Sequence, residues 1–175
     1  MTQDKERLAS HIEKLKNKNE DTEEMKLVFT TQSKIRFYCR DAVCQYVFGQ
    51  GCIPLNPYRM FDYDLNGSVD PAVIRKGRSQ LIKICSELWV FGSIANEMLQ
   101  EITEAIDLGK HIRFFTISTK AEEIREVDTS ELVFEPEVHA GQIRKQDVID
   151  YIENGMPGPD KKQYSQMELF EFMYM

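Results

Sequence analysis

The helix that we predict from about Ile94 to Leu108 carries an acidic residue whose position could serve chemistry. At 100° per residue, the apolar residues of this helix form one stripe: Ile94, Ala95, Met98, Leu99, Ile102, Ala105 and Ile106. Glu97 and Glu104 fall well outside the stripe, whereas Glu101 falls at its edge. Burying a carboxylate against apolar surface costs free energy unless the charge is paired, so an acid in such a position is often one that takes part in function. Glu101 is therefore either a functional acid or a surface residue at a helix boundary.

The dipeptide before this helix is a second candidate for ligand contact. Gly92 and Ser93 follow an apolar strand and open the helix. Backbone N–H groups at a helix start attract anions, and the Ser93 hydroxyl adds a donor. The same dipeptide is also typical of an ordinary helix start capped by serine.

The elements that position these residues alternate along the chain. Apolar and β-branched runs predict strands, and segments of helical periodicity lie between them. We predict strands at 27–31, 52–55, 87–91 and 111–117, a possible fifth at 132–134, and helices at about 35–51, 70–85, 94–108 and 143–154. The 87–91 run is nearly all apolar, which indicates a strand buried on both faces. The order predicts an α/β fold with a doubly wound, Rossmann-like parallel sheet of about five strands.

The fold class locates a site before any motif is considered. In open α/β sheets, ligands bind at the carboxyl ends of the strands, where the strand order reverses. The segments that follow the first three strands are therefore candidates, namely 30–34, 56–63 and 92–101.

The loop from Asp62 to Asp70 matches the first nine positions of a calcium-binding loop. The twelfth position should be a bidentate Glu, and here it is Val73. Pro71 intrudes as well, so we interpret the segment as a polar turn in which Asp70 caps the next helix. We predict no metal and no cofactor.

Composition and charge make some classes of function less plausible for this protein. The formal net charge of -7 disfavours nucleic-acid binding, although one small anion could still be held in a pocket. The four cysteines form no CxxC pair and are read as reduced, buried side chains. No secretory signal opens the chain, and no apolar run is long enough for a membrane helix. We therefore expect a cytoplasmic protein with no membrane partner.

The ends of the chain differ in composition from the middle. Residues 1–25 read as a charged arm that is helical or disordered, 26–154 as the α/β domain, and 155–175 as a linker with an apolar tail. Five of the last seven residues, Leu169 to Met175, are apolar. The tail either packs on its own domain or forms a subunit contact.

Several segments together resemble the nucleoside 2-deoxyribosyltransferase-like superfamily, and most closely an uncharacterised branch with an ELWVFG strand. The resemblance covers about half the chain, from Tyr38 to Phe115. Its motifs are Gly51-Cys-Ile-Pro-Leu-Asn-Pro57, Gly77, Cys85-Ser-Glu-Leu-Trp-Val-Phe-Gly92, Glu101-Ile-Thr-Glu-Ala105 and Gly109-Lys110.

The resemblance implies a flavodoxin-like sheet and a specific activity. Active members cleave the N-glycosidic bond of a nucleoside or nucleotide and pass the sugar to another base or to water. Their nucleophilic Glu corresponds to Glu101, and a second acid helps the base to leave. The resemblance further implies a small nucleotide-like ligand contacted by Ser93, with Asn56 and Tyr58 lining the pocket, and a homo-oligomer.

The chain departs from the family pattern in two places. The family's Asp six residues before the nucleophile falls on Ala95, and the small residue four before it falls on Glu97. The first-strand motif, with its Tyr and Ser-Pro, is replaced by residues 29–33. Glu97, Asp70 or Asp62 could supply the missing acid. The departures favour two alternatives to catalysis: a nucleotide-binding sensor or sequestering module, and an oligomeric interaction protein.

Overall fold

The computed structural model describes residues 2–16, 24–61, 67–140 and 145–154. Its five strands form one sheet and run along the chain in this order: β1 (Lys26–Gln32), β2 (Cys52–Leu55), β3 (Glu87–Phe91), β4 (His111–Phe115) and β5 (Glu126–Val127). The described helices are α1 (Thr2–Lys16), α2 (Arg40–Gly49), α3 (Pro57–Met60), α4 (Pro71–Ile84), α5 (Asn96–Asp107), α6 (Pro136–Ala140) and α7 (Lys145–Asn154). Shorter 3-10 segments occupy Lys34–Cys39, Ala121–Glu123 and Thr129–Glu131.

The strand order across the sheet is β2-β1-β3-β4-β5. The first four strands pair in parallel, and only β5 is antiparallel, against β4. This order is typical of flavodoxin-like sheets, in which the chain reverses direction across the sheet between β1 and β3. The predicted α/β fold with a doubly wound, mostly parallel sheet is confirmed.

Helices cover both faces of the sheet. On one face, alternate strand residues such as Phe29, Leu88 and Val90 pack with Ile82 of α4 and with the apolar stripe of α5. On the other face, α2 packs with Val28, Trp89, Phe91 and Phe115. Burial of β1 and β3 on both sides explains their continuous apolar runs.

The predicted helix from Asp70 is confirmed together with its cap. The Asp70 carboxylate accepts a hydrogen bond of 2.7 Å from the Ala72 amide, and Pro71 occupies the first helical position. The rest of the Asp62-to-Asp70 loop, residues 62–66, lies outside the described residues, as does the tail 155–175.

Several predicted boundaries were wrong. β4 ends at Phe115 and not at residue 117. The fifth strand is Glu126–Val127, whereas Leu132–Phe134 contributes one parallel bridge between Phe134 and Ile94. That bridge holds Ile94 in extended backbone, so α5 begins at Asn96 rather than at Ile94. The predicted 35–51 helix is a 3-10 segment followed by α2.

No described helix has the length and apolar character required to span a bilayer.

Candidate functional site

The buried polar residues among those described lie close together in the fold. Five of them belong to the carboxyl ends of β1 and β2, and the sixth is on the helix that follows β3: Thr30, Thr31, Gln32, Ser33, Asn56 and Glu101. This is the edge where the strand order reverses and where α/β proteins bind their ligands. Buried polar groups need partners, so their concentration at one edge indicates a site.

Several of these side chains have an atom without a hydrogen-bond partner in the described part of the chain. These buried atoms are Thr30 Oγ1, Gln32 Oε1, Asn56 Nδ2 and Glu101 Oε2. The opposite ends of two of these side chains are fixed, because Gln32 Nε2 donates to the Arg36 carbonyl at 2.7 Å and Asn56 Oδ1 accepts from the Arg59 amide at 3.2 Å. These open atoms are two acceptors, Gln32 Oε1 and Glu101 Oε2, one amide donor, Asn56 Nδ2, and one hydroxyl, Thr30 Oγ1, which can donate or accept.

Glu101 is at the centre of the site. Only 6% of the residue is exposed, and its Oε1 atom lies 3.0 Å from Arg78 Nη1 on α4. Burial raises the pKa of Glu101, while the Arg78 guanidinium and the Thr31 hydroxyl act in the opposite direction. The other oxygen, Oε2, is the one that has no partner among the described residues.

Arg78 also connects Glu101 to Tyr58. The guanidinium lies 5.2 Å from the centre of the Tyr58 ring, and the hydroxyl of Tyr58 accepts a hydrogen bond from it. Burial raises the pKa of Tyr58, Arg78 opposes the shift, and the charges of Glu101 and Glu97 add to it. Tyr58, Arg78, Glu97 and Glu101 therefore form one electrostatic cluster.

Glu97 lies one helical turn before Glu101, on the same side of α5. It forms an ion pair with Lys34, which follows β1, and its side chain is 44% exposed. Its charge contributes to the raised pKa of Glu101. A half-exposed carboxyl group beside a buried one is the arrangement in which two acids can take different roles.

The remaining predicted residues take other positions. Gly92 has φ of 78° and Ser93 is half-buried, both in the turn from β3 to α5. Asp70 is exposed and caps α4. The structure therefore brings Glu97, Glu101 and Tyr58 together around Arg78, whereas the capping bond uses Asp70 in a structural role.

Arg78 is the functional residue that the sequence analysis missed. It lies four residues after Ile74 and four before Ile82, and both of these side chains are buried. A charged residue within the apolar stripe of a helix is a signal that could have found it.

A cleft of about 320 Å³ opens at the amino ends of the strands. Two of the basic residues that line it are paired with acids: Lys26 with Glu87 at 2.8 Å, and Arg113 with Glu126 at 2.6 Å. None of the buried polar atoms that lack a hydrogen-bond partner in the described part of the chain belongs to its lining, so the carboxyl edge remains the candidate site. No cluster of His, Cys, Asp or Glu in the described ranges has an arrangement suited to a metal ion.

Comparison with known proteins gives three findings. A family model described as a domain of unknown function, DUF7768, matches residues 29–115, the span from β1 to the end of β4. No curated protein matches the chain. A solved structure described as a 2-desoxiribosyltransferase from Leishmania mexicana is similar at 15% identity and a TM-score of 0.44, over 75% of this chain and 99% of that one.

Proposed function

We propose that the protein binds a nucleoside-like small molecule at the carboxyl edge of β1, β2 and β3 and breaks its N-glycosidic bond, with Glu101 as the nucleophile. One observation carries the proposal. Glu101 is buried where the strand order reverses, with one oxygen held by Arg78 and the other without a described partner. The family resemblance supports the proposal independently, because it assigns the nucleophile to the same residue.

Arg78 supports the nucleophilic role in two ways. A buried carboxyl group tends to take up a proton, and the guanidinium at 3.0 Å favours the ionised form that attacks. The contact also fixes the side chain, so that Oε2 points away from the ion pair. Such preorganisation lowers the cost of reaching the attacking geometry.

The reaction proceeds in two displacements. Glu101 Oε2 forms a bond to the anomeric carbon as the C–N bond breaks, and the bonding electron pair leaves with the base. A carboxylic acid gives the departing base a proton. Water or a second base then attacks the anomeric carbon, gives its proton to the carboxylate that protonated the first base, and releases Glu101 as a carboxylate.

Glu97 is our candidate for the acid in that scheme. It is one turn from Glu101, and its charge acts on both Glu101 and Tyr58. Its side chain is 44% exposed, and it pairs with Lys34, which follows β1. Two other acids were candidates. The Asp70 carboxylate accepts the hydrogen bond that caps α4, and Asp62 lies outside the described residues.

One observation favours a second function, a nucleotide-binding module without catalysis. The ion pair with Arg78 stabilises the charge that a nucleophile must give up, and this lowers the reactivity of Glu101. On this alternative, Glu101 would be a polar contact to the ligand.

The test incubates the protein with ribonucleosides, deoxyribonucleosides, their 5′-monophosphates and NAD. Chromatography then measures the amount of free base released from each compound. We expect wild-type protein to release base from at least one compound and Glu101→Gln to release none. Glu104→Gln is the matched control, because Glu104 is on the same helix and also reaches α4, through a 2.5 Å hydrogen bond from Ser79.

Each other outcome has a definite meaning. Equal release by Glu101→Gln and wild type contradicts the role of Glu101. No release by wild type, with binding of the same compounds detected by thermal shift, favours the binding module. Loss of release in Glu104→Gln as well would point to damage of the α4–α5 contact rather than to chemistry.

A further inference from the structure

The 3-10 segment that follows β1 exposes apolar side chains. Residues 34–38 are all exposed, whereas residues 28–33 immediately before them are buried. Ile35 is 67% exposed and Tyr38 is 48% exposed. Residues three apart lie on the same side of a 3-10 helix, so these two side chains share one face. An exposed apolar face on a folded domain is typical of a docking surface.

This 34–38 face also carries a positive charge that has no carboxylate partner in the described part of the chain. The charge is on Arg36, whose guanidinium donates a hydrogen bond of 2.7 Å to the Tyr38 hydroxyl. The basic residues on either side, Lys34 and Arg40, each have an acidic partner. A segment that fits the 34–38 face therefore combines apolar side chains with at least one acidic side chain.

The tail of the chain contains a segment of that composition. Residues 168–173 are two acidic and four apolar residues, namely Glu168, Leu169, Phe170, Glu171, Phe172 and Met173. No basic residue follows Lys162 in the sequence. These residues lie outside the described ranges. A run with this many large apolar side chains is rarely left in water, so we expect it to pack against a surface of matching chemistry.

The last described helix and the 34–38 face are neighbours of the same segment. Val148 of α7 packs in the same core cluster as Phe134. The residue after Phe134 is Glu135, and its charge acts on Arg36. The pKa of Arg36 is raised by the hydrogen bond to Tyr38 and further by the charge of Glu135. The described chain therefore ends on a helix that packs near this face.

The tail is long enough to reach the 34–38 face within one chain. Fifteen residues lead from Asn154 to Leu169, and an extended chain of that length spans up to about 50 Å. A tethered segment is present at an effective concentration of about a millimolar, so even a weak contact is largely formed. A separate molecule of the same chemistry would have to displace it. The tether therefore favours this chain's own tail as the occupant.

We propose that residues 168–173 dock on the 34–38 face of the same chain. The apolar side chains of the segment cover Ile35 and Tyr38, and one of its two glutamates pairs with Arg36. The contact combines burial of apolar area with an ion pair at its rim. Docking at this face does not require the activity proposed above.

Chymotrypsin digestion of the full chain, followed by mass spectrometry, measures how often the tail is undocked, because cleavage within residues 169–174 needs the segment free. We expect the face variant, Ile35→Ser with Arg36→Glu, to speed this cleavage about tenfold or more relative to wild type. The matched control is Ile84→Ser with Lys83→Glu. It makes the same two changes at an exposed apolar and basic pair where α4 ends, at the amino ends of the strands, and should keep the wild-type rate.

Reversal of the charge pair separates docking from damage to the fold. Arg36→Glu alone should speed cleavage. Adding Glu168→Arg or Glu171→Arg, whichever acid forms the pair, should restore protection, since a change in the tail does not rescue a misfolded domain. Failure of both additions to restore protection overturns the inference, as does equal cleavage of wild type and the face variant. Protection that increases with protein concentration would assign the face to a second copy and overturn docking within one chain.

Discussion

Glu101 and Arg78 form an ion pair in which both side chains are nearly buried. The exposed fraction is 8% for the Glu101 side chain and 12% for the Arg78 side chain. Such pairs seldom improve stability over apolar residues of the same size, because desolvation offsets the attraction. Their presence therefore needs a reason other than stability. The proposed function gives such a reason, because Glu101 Oε2 has no hydrogen-bond partner among the described residues and lies at the carboxyl edge of the sheet.

The pH dependence of stability should report on Glu101. Burial raises the pKa of this carboxyl group, so the folded protein holds the proton more tightly than the unfolded chain does. The contribution of Glu101 to the free energy of unfolding is therefore greatest below its ordinary pKa of 4.5. It should fall as the pH rises through the raised folded value and then level off.

Urea unfolding of wild type and Glu101→Gln across this pH range measures the effect. The stability of wild type minus that of the variant is expected to decrease with rising pH, because the amide does not titrate. Glu104→Gln, at another acid of α5, is measured alongside as the control. A difference that increases with pH would show that Arg78 and Thr31 outweigh burial at this site, and a constant difference would show that they balance it.

At the scale of single residues, part of the site could be predicted from the sequence. The angular position of Glu101 at the edge of an apolar stripe indicated its burial. The pairing with Arg78 could not be predicted, because it depends on how α4 and α5 lie against each other. The hydrogen bond that the Asn96 amide donates to Glu137 Oε1 at the start of α5 could not be predicted either, since no local pattern links residues forty-one positions apart.

At the scale of elements, the predictions of the four parallel strands succeeded, and the prediction of the antiparallel edge strand β5 failed. β1 and β3 are covered on both faces, so their apolar runs identified them. β5 has only two residues, one of them the exposed Glu126, and carries no such signal. In the apolar run at Leu132–Phe134, the first and last residues are buried in the same core cluster as Ile94, whereas Val133 is exposed, and none of the three pairs within the sheet.

The turn from β3 to α5 depends on glycine at position 92. Gly92 has φ of 78°, a left-handed conformation that other residues adopt at a cost of about 1–2 kcal/mol. A Cβ added there would lie 2.6 Å from Ile117 Cγ2, so a side chain would also collide with its neighbour. We expect Gly92→Ala to lower the free energy of unfolding by about 2 kcal/mol or more.

Gly109 provides the control for this prediction. It also has positive φ, 64°, but a Cβ there meets nothing within 4 Å. Gly109→Ala should therefore show only the backbone cost, and denaturant unfolding of both variants separates the two effects. Ile117→Ala added to Gly92→Ala should recover part of the loss. Equal destabilisation by both single variants would contradict the close packing at Gly92.

At the scale of the whole molecule, the exposed apolar residues of α1 bear on whether the protein forms an oligomer. Two of its apolar residues are largely exposed, Leu8 at 60% and Ile12 at 43%. A helix of fifteen residues is marginal in water without a packing partner. The expected homo-oligomer would provide one, because a second copy offers another apolar stripe of the same kind.

Light scattering over a range of protein concentrations tests this arrangement. We expect the full chain to be oligomeric and the double variant Leu8→Ser with Ile12→Ser to have a smaller mass, because it loses the apolar contact. Glu13→Ser, at an exposed acid of the same helix, should leave the mass unchanged. A monomeric full chain would contradict the predicted oligomer. An oligomer unaffected by the double variant would exclude α1 as the contact, and a chain ending at Asn154 would then test the apolar tail.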